Sequence, residues 1–287
     1  MDISRIIFLF NLGFLCLLQP AKASLPLDTN CGVPQEPHVP PVKRIVGGQE
    51  SLPFNWPWMA ALKVDGVFQC GGTLVRTNNG SHVILTAAHC VDGAFENPAR
   101  WEVRMGFVSR NGAIYNPYYQ SRKVIQIHKH PQFSPSTLEN DIAVLTLDGV
   151  VNETMAVYPA CVTRSMHAAG EPCVTLGWGQ VDANNLDSNS DRLHEIYKYV
   201  QPSVTCSGAF GTAFNKISMM CAGDEHKTQG PCLRDSGGPL LCARGHKWYL
   251  TGIISWSFIC GLTYDPPVYT NVFQYVVSGW LSDVADI

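Results

Sequence analysis

Three short segments of this chain carry the side chains that a nucleophilic hydroxyl reaction requires. Cys232-Leu233-Arg234-Asp235-Ser236-Gly237-Gly238-Pro239 sets a serine between an acid and two glycines, with a proline closing the turn. Thr86-Ala87-Ala88-His89-Cys90 supplies a histidine, and Asn140-Asp141-Ile142-Ala143 an aspartate ahead of an apolar run. A serine hydroxyl is a weak nucleophile until a base takes its proton, and an imidazole serves as that base when a carboxylate fixes its tautomer. Taken alone, the serine segment also reads as a surface turn, because Asp, Ser, Gly and Pro are all turn formers. The other two segments shift the balance. His89 is one of nine histidines, and its place inside Thr-Ala-Ala-His-Cys sets it apart from the rest. Asp141 stands at the mouth of an apolar strand, where a buried carboxylate needs a partner.

The elements that must position these groups are short strands. Trp58-Met59-Ala60-Ala61-Leu62, Val83-Ile84-Leu85-Thr86, Ile142-Ala143-Val144-Leu145 and Leu250-Thr251-Gly252-Ile253-Ile254 are apolar runs separated by turn signals. Many evenly spaced strands point to an all-β sandwich or barrel. The exception is Val272 to Val284, where Val272, Val276, Val277, Trp280, Leu281 and Val284 share one helical face, which predicts a terminal helix. No internal repeat is visible.

With 287 residues, 46% hydrophobic and 15% charged, the chain is long enough for one large domain or two small ones. A net charge of -3 with dispersed charges gives no sign of a nucleic-acid groove. Residues 1–23 read as a secretory signal: Arg5 precedes the apolar run Ile6 to Leu18, and Ala21-Lys22-Ala23 supplies a small-x-small cleavage pattern. The rival reading, a membrane anchor, needs about 20 apolar residues. A secreted, extracellular protein without a membrane span is therefore expected. Of 11 cysteines, Cys16 would leave with the signal, and the even remainder fits an oxidised framework whose connectivity spacing alone leaves open. No close Cys-x-x-Cys pair with a matching histidine suggests a metal site. His128 and His130 would share a strand face but lack a third ligand, and Val103 to Arg122 lacks the clustered acids of a calcium loop. Neither a metal nor another cofactor is expected.

Together, the three segments, their order His89, Asp141, Ser236, and Ile45-Val46-Gly47-Gly48 resemble the trypsin/chymotrypsin family of serine endopeptidases. The resemblance runs from Ile45 to the C-terminus. It implies an all-β fold of two six-stranded antiparallel barrels with the active site between them, in a peptidase domain spanning 45–287. It implies that Ser236 attacks a peptide carbonyl, His89 acts as base and then acid, and Asp141 orients the imidazole. The backbone N–H groups of Arg234 and Ser236 would form the oxyanion hole, and Ser255, Trp256 and Ser257 would pair with the substrate backbone as an added strand. Residues 24–44 form a proline-rich, extended and exposed activation segment by composition. By resemblance, cleavage after Arg44 would free the amino group of Ile45 to pair with Asp235. Cys31-Gly32-Val33-Pro34 resembles the start of a chymotrypsinogen-like propeptide. The resemblance also implies the pairs Cys70–Cys90, Cys173–Cys242, Cys206–Cys221 and Cys232–Cys260. Cys31 and Cys161 would then bridge to keep the propeptide attached.

The chain departs from the family pattern where specificity is set. Arg234 stands where the oxyanion loop usually has glycine. Gly230 stands at the base of the specificity pocket, with Ser257 and Pro267 at two wall positions. An uncharged base argues against preference for Lys or Arg, and the filled walls favour small or medium apolar residues, elastase-like more than chymotrypsin-like. The alternative is a catalytically weak relative acting as a binding or regulatory module, held back by Arg234 and a narrowed pocket. The expected partners are protein or peptide substrates, an activating trypsin-like protease and protein inhibitors, with the chain itself a monomer. Asn79-Gly80-Ser81 and Asn152-Glu153-Thr154 are N-glycosylation acceptors.

Overall fold

A computed structural model describes residues 30–34, 48–111, 116–180, 188–223, 230–258 and 265–287. Its strands are β1 (Gln49–Glu50), β2 (Met59–Val64), β3 (Val67–Arg76), β4 (His82–Thr86), β5 (Trp101–Met105), β6 (Gln120–Lys129) and β7 (Ala143–Leu147) in the first half. The second half contains β8 (Cys161–Val162), β9 (Pro172–Gly177), β10 (His194–Val200), β11 (Met219–Gly223), β12 (Pro239–Arg244), β13 (Lys247–Trp256) and β14 (Val268–Asn271). Period-two burial makes the strands: in β5, Trp101, Val103 and Met105 are buried, while Glu102 and Arg104 point toward solvent. Between β2 and β3, Asp65 and Gly66 take φ of 49° and 82°, the left-handed pair that a two-residue hairpin turn demands.

The strands close two antiparallel barrels. The first runs β2-β3-β4-β7-β6-β5 and closes through the β2–β5 pairing. The second runs β9-β10-β11-β14-β13-β12 and closes where β12 meets β9, with Cys242 opposite Cys173. β1 is appended to β10, and β8 pairs parallel with β13. Trp58, Trp101, Trp178, Tyr269 and Tyr275 are the largest fully buried side chains, so both barrels are filled rather than hollow. Among the described residues, no helix is long and apolar enough to cross a membrane.

Two expectations are corrected. The terminal helix predicted over Val272 to Val284 is two short helices, α2 (Val272–Val277) and α3 (Trp280–Ala285), counted after α1 (Ser203–Phe210). Gly279 separates them with φ of 83°, and Val277, placed on the apolar face, is exposed. Composition predicts an extended, exposed activation segment, yet Cys31 and Gly32 are buried. Gly32 N–H donates to Pro159 O at 2.8 Å, and Trp248 N–H donates to Gly32 O at 2.8 Å. The tether is therefore packed against the second barrel.

Disulfides join Cys31–Cys161, Cys70–Cys90, Cys173–Cys242 and Cys206–Cys221. Cys260, and with it the Cys232–Cys260 pairing, lies outside the described residues, as do Arg44 and Ile45.

Candidate active site

Each reactive side chain leaves the end of a strand where the two barrels meet. His89 lies in a 3-10 turn, Ala88–Val91, directly after β4, and Asp141 immediately precedes β7. These strands are neighbours, with Thr86 opposite Ala143. Ser236 ends the loop that enters β12 of the second barrel. Gly71 N–H donates to Ser236 O at 2.9 Å, tying that loop to β3. Gly237, at φ of 77°, lies so close to the first barrel that an added Cβ would stand 2.1 Å from Thr86 Oγ1 and 2.6 Å from Gly71 O. Only glycine fits, and the serine loop thereby abuts the segment that carries His89.

Asp141 is buried and fully engaged. Its Oδ1 accepts from His89 N–H at 2.9 Å, and its Oδ2 lies 2.7 Å from His89 Nδ1 and accepts from Ser255 Oγ at 2.6 Å. A carboxylate oxygen facing Nδ1 fixes the imidazole with Nδ1 carrying the proton, leaving Nε2 to accept one. The His89 side chain keeps 27% of its surface open, enough for access from the cleft. Burial would lower its pKa, but the charge and hydrogen bond of Asp141 prevail and raise it above the ordinary histidine value.

Sequence reasoning missed three supports of this pair. Ser255 was read only as part of a substrate-pairing segment, yet its hydroxyl bonds Asp141. Thr270 Oγ1 donates to Asp141 O at 2.6 Å, and Tyr275 OH donates to Asn140 Oδ1 at 3.1 Å. The signal was weak: a hydroxyl inside an apolar strand needs a partner, but nothing local says which.

The loop before Ser236 is shaped around Asp235. Its Oδ1 accepts from Gly179 N–H at 2.7 Å and its Oδ2 from Cys232 N–H at 2.9 Å. No cation pairs with it among the described residues. Burial pushes its pKa up to about 6, against the lowering effect of the two backbone donors. A Cβ on Gly177 would stand 1.7 Å from Asp235 Oδ1, so that position is also reserved for glycine. Arg234 is exposed with φ of 72°, the left-handed conformation foreseen as a strain for a non-glycine residue. The N–H groups of Arg234 and Ser236 meet no backbone acceptor among the described residues.

Gly230 and Pro267 are buried, and Pro267 O accepts from Ala222 N–H at 3.3 Å. Trp256 packs edge-on against Phe210 and Phe258, at ring separations of 4.8 and 5.5 Å. Ser257 lies between Trp256 and the exposed Phe258. The candidate glycan acceptors Asn79 and Asn152 are both exposed.

The family model described as Trypsin matches residues 45–278. The chain is 32% identical over 282 residues to Transmembrane protease serine 11G of Rattus norvegicus, covering 96% of this chain and 63% of that protein. The Mus musculus counterpart is 32% identical over 271 residues, covering 92% and 61%. Atrial natriuretic peptide-converting enzyme of Mus musculus is 35% identical over 245 residues, covering 83% and 21%. The chain thus spans less than two thirds of each relative. Among solved structures, neuropsin, a serine protease expressed in the limbic system of mouse brain, superposes with a TM-score of 0.71 at 29% identity. That match covers 83% of this chain and 99% of that one.

Proposed function

From the premise that this chain belongs to the Trypsin family of serine peptidases, we propose that it is a secreted serine endopeptidase made as a zymogen. The observation that carries the reading is the buried Asp141 carboxylate holding His89 Nδ1 at 2.7 Å beside the Ser236 loop. In the proposed reaction Ser236 Oγ attacks a peptide carbonyl while His89 Nε2 takes its proton. The tetrahedral oxyanion is held by the N–H groups of Arg234 and Ser236, each donor contributing about 3 kcal/mol. The carbon–nitrogen bond breaks, His89 returns the proton to the departing amine, and water activated by the same imidazole hydrolyses the acyl-enzyme. Ser255 acts through Asp141 and is a positioning residue.

Residues 1–23 are the proposed signal, 24–44 the propeptide and 45–287 the peptidase domain. Activation by a trypsin-like protease after Arg44 is supported by Asp235, a buried carboxylate raised to a pKa of about 6 with no cation beside it among the described residues, which the freed ammonium of Ile45 would neutralise. The neutral Gly230 and the wall residues Ser257 and Pro267 support cleavage after small or medium apolar residues. The four disulfides support an oxidising destination. Two of the relatives carry the word transmembrane in their names, so secretion needs its own test. N-terminal sequencing of expressed protein should find it in the medium beginning near Ser24, and retention in the membrane fraction would overturn that part.

The deciding experiment cleaves the purified precursor with trypsin and treats it with a serine-directed phosphonate. Labelling of Ser236 together with hydrolysis of a short peptide is expected, and Ser236→Ala should abolish both. An activated protein that neither labels nor cleaves would favour the binding-module reading.

A further inference from the structure

Arg234, two residues before Ser236, and Arg110 lie close enough for their charges to interact, and no carboxylate among the described residues answers Arg234. Arg110 lies over the Phe68 ring with its guanidinium carbon 4.8 Å from the ring centre, and its Nε donates to Ser190 O at 3.0 Å. Ser190 N–H in turn donates to Gly179 O at 3.1 Å, and Gln180 N–H donates to Leu233 O at 3.1 Å, one residue before Arg234. Both cations are therefore built on a single bonded framework. Lys63 extends it, because Lys63 pairs with Phe68 across β2 and β3.

Among the described residues, the nearby acids already accept from other donors. Glu102 accepts from Arg104 Nε at 2.8 Å and Ser121 Oγ at 2.5 Å. Asp191 accepts from Ser109 Oγ at 2.6 Å and Asn111 N–H at 2.7 Å, and forms no ion pair with Arg110. Burial lowers the Arg110 pKa, and the charge of Arg234 pushes the same way against Asp191. Burial and Arg104 likewise lower Lys63, with Arg110 adding to them against Glu102. The cations repel one another while Asp191 and Glu102 act against that repulsion, and a bound anion would add to their attraction.

The inference rests on the peptidase reading above. If the part of the substrate before the cut lies along the end of β13, the part after it must run the other way, over Gly71, Phe68 and Arg110. We infer that Arg234 and Arg110, with Lys63 behind them, make this protein favour polypeptides with Asp or Glu in the two residues after the scissile bond. Arg234 is exposed next to the Ser236 loop, and Arg110 offers a flat guanidinium already oriented by Phe68 and Ser190, suited to bidentate capture of a carboxylate.

The test uses the activated protein and peptides sharing one apolar residue before the cut, with Asp, Asn or Lys at the first and second positions after it. An exposed charge pair gives roughly a fivefold effect, so kcat/KM should fall about fivefold from Asp to Asn and further to Lys. The preference should shrink between low salt and about 0.5 M salt. Arg110→Gln and Arg234→Gln should each reduce the Asp/Asn ratio, whatever they do to turnover of the Asn peptide. Equal cleavage of Asp, Asn and Lys peptides would overturn the inference while leaving the peptidase reading intact. A ratio that persists in the double variant would also overturn it, and failure to cleave any peptide would remove both.

Discussion

Blocking cleavage at Arg44 should hold the protein in a state at least about a hundredfold less active, and the size of that effect comes from Asp235. Its carboxylate points inward and is buried, with two backbone donors and no cation among the described residues. Its pKa is raised from 3.8 to about 6. The sign follows from linkage. Below pH 3.8 the group is protonated whether the loop is in or out, and the burial costs nothing extra. Between pH 3.8 and about 6 the penalty grows, and above 6 it is complete, at about 3 kcal/mol. At pH 8 an unpaired Asp235 therefore disfavours the inward loop by roughly a hundredfold, and with it the placement of Ser236 and the Arg234 N–H. A buried ammonium removes the penalty. Trypsin-treated wild type and trypsin-treated Arg44→Gln should be compared at pH 8 by kcat/KM on one short peptide, with chain cleavage followed by electrophoresis. Uncleaved Arg44→Gln within threefold of cleaved wild type would refute the reasoning.

Further outcomes follow from the same contacts. Because Asp141 raises the His89 pKa and the base must be neutral, kcat/KM should rise with pH through a midpoint above 6.5; a midpoint below 6 would contradict the site. Asp141→Asn should lower kcat by about 10⁴ while leaving KM nearly unchanged, since an amide presents a donor to Nδ1 and reverses the tautomer. Gly177→Ala should abolish activity, because its Cβ would stand 1.7 Å from Asp235 Oδ1, and a fully active variant would exclude the inward loop. Arg234→Gly should raise stability by about 1 kcal/mol by relieving a left-handed non-glycine, read as a higher Tm, and should increase sensitivity to rigid protein inhibitors more than turnover of short peptides. On non-reducing gels the cleaved protein should keep its propeptide through Cys31–Cys161 and release it only on reduction.

Much of the chemistry was legible in sequence because it is carried by residue identity in rigid local context. His89, Asp141 and Ser236 stand in segments whose glycines, prolines and flanking apolar runs are themselves conformational instructions. The apolar runs that became β2, β4, β7 and β13 could be read without a partner strand. The four disulfides formed as the family resemblance implied, whereas spacing alone left them open. What the sequence could not decide is what depends on segments far apart in the chain. Ser255 reaches Asp141 across 114 residues and Thr270 across 129, and neither hydroxyl announces its acceptor. α1 escaped notice because its burial rests on Cys206 and Phe210 alone, too little for a periodic signal. The terminal helix was drawn too long because apolar spacing ignores one left-handed glycine. Cys31 and Gly32 looked like exposed linker because composition knows nothing of Pro159 and Trp248. The raised pKa of Asp235 and the paired cations Arg110 and Arg234 exist only once two barrels close against each other. Burial and charge proximity are properties of the assembled fold, and no residue carries them alone.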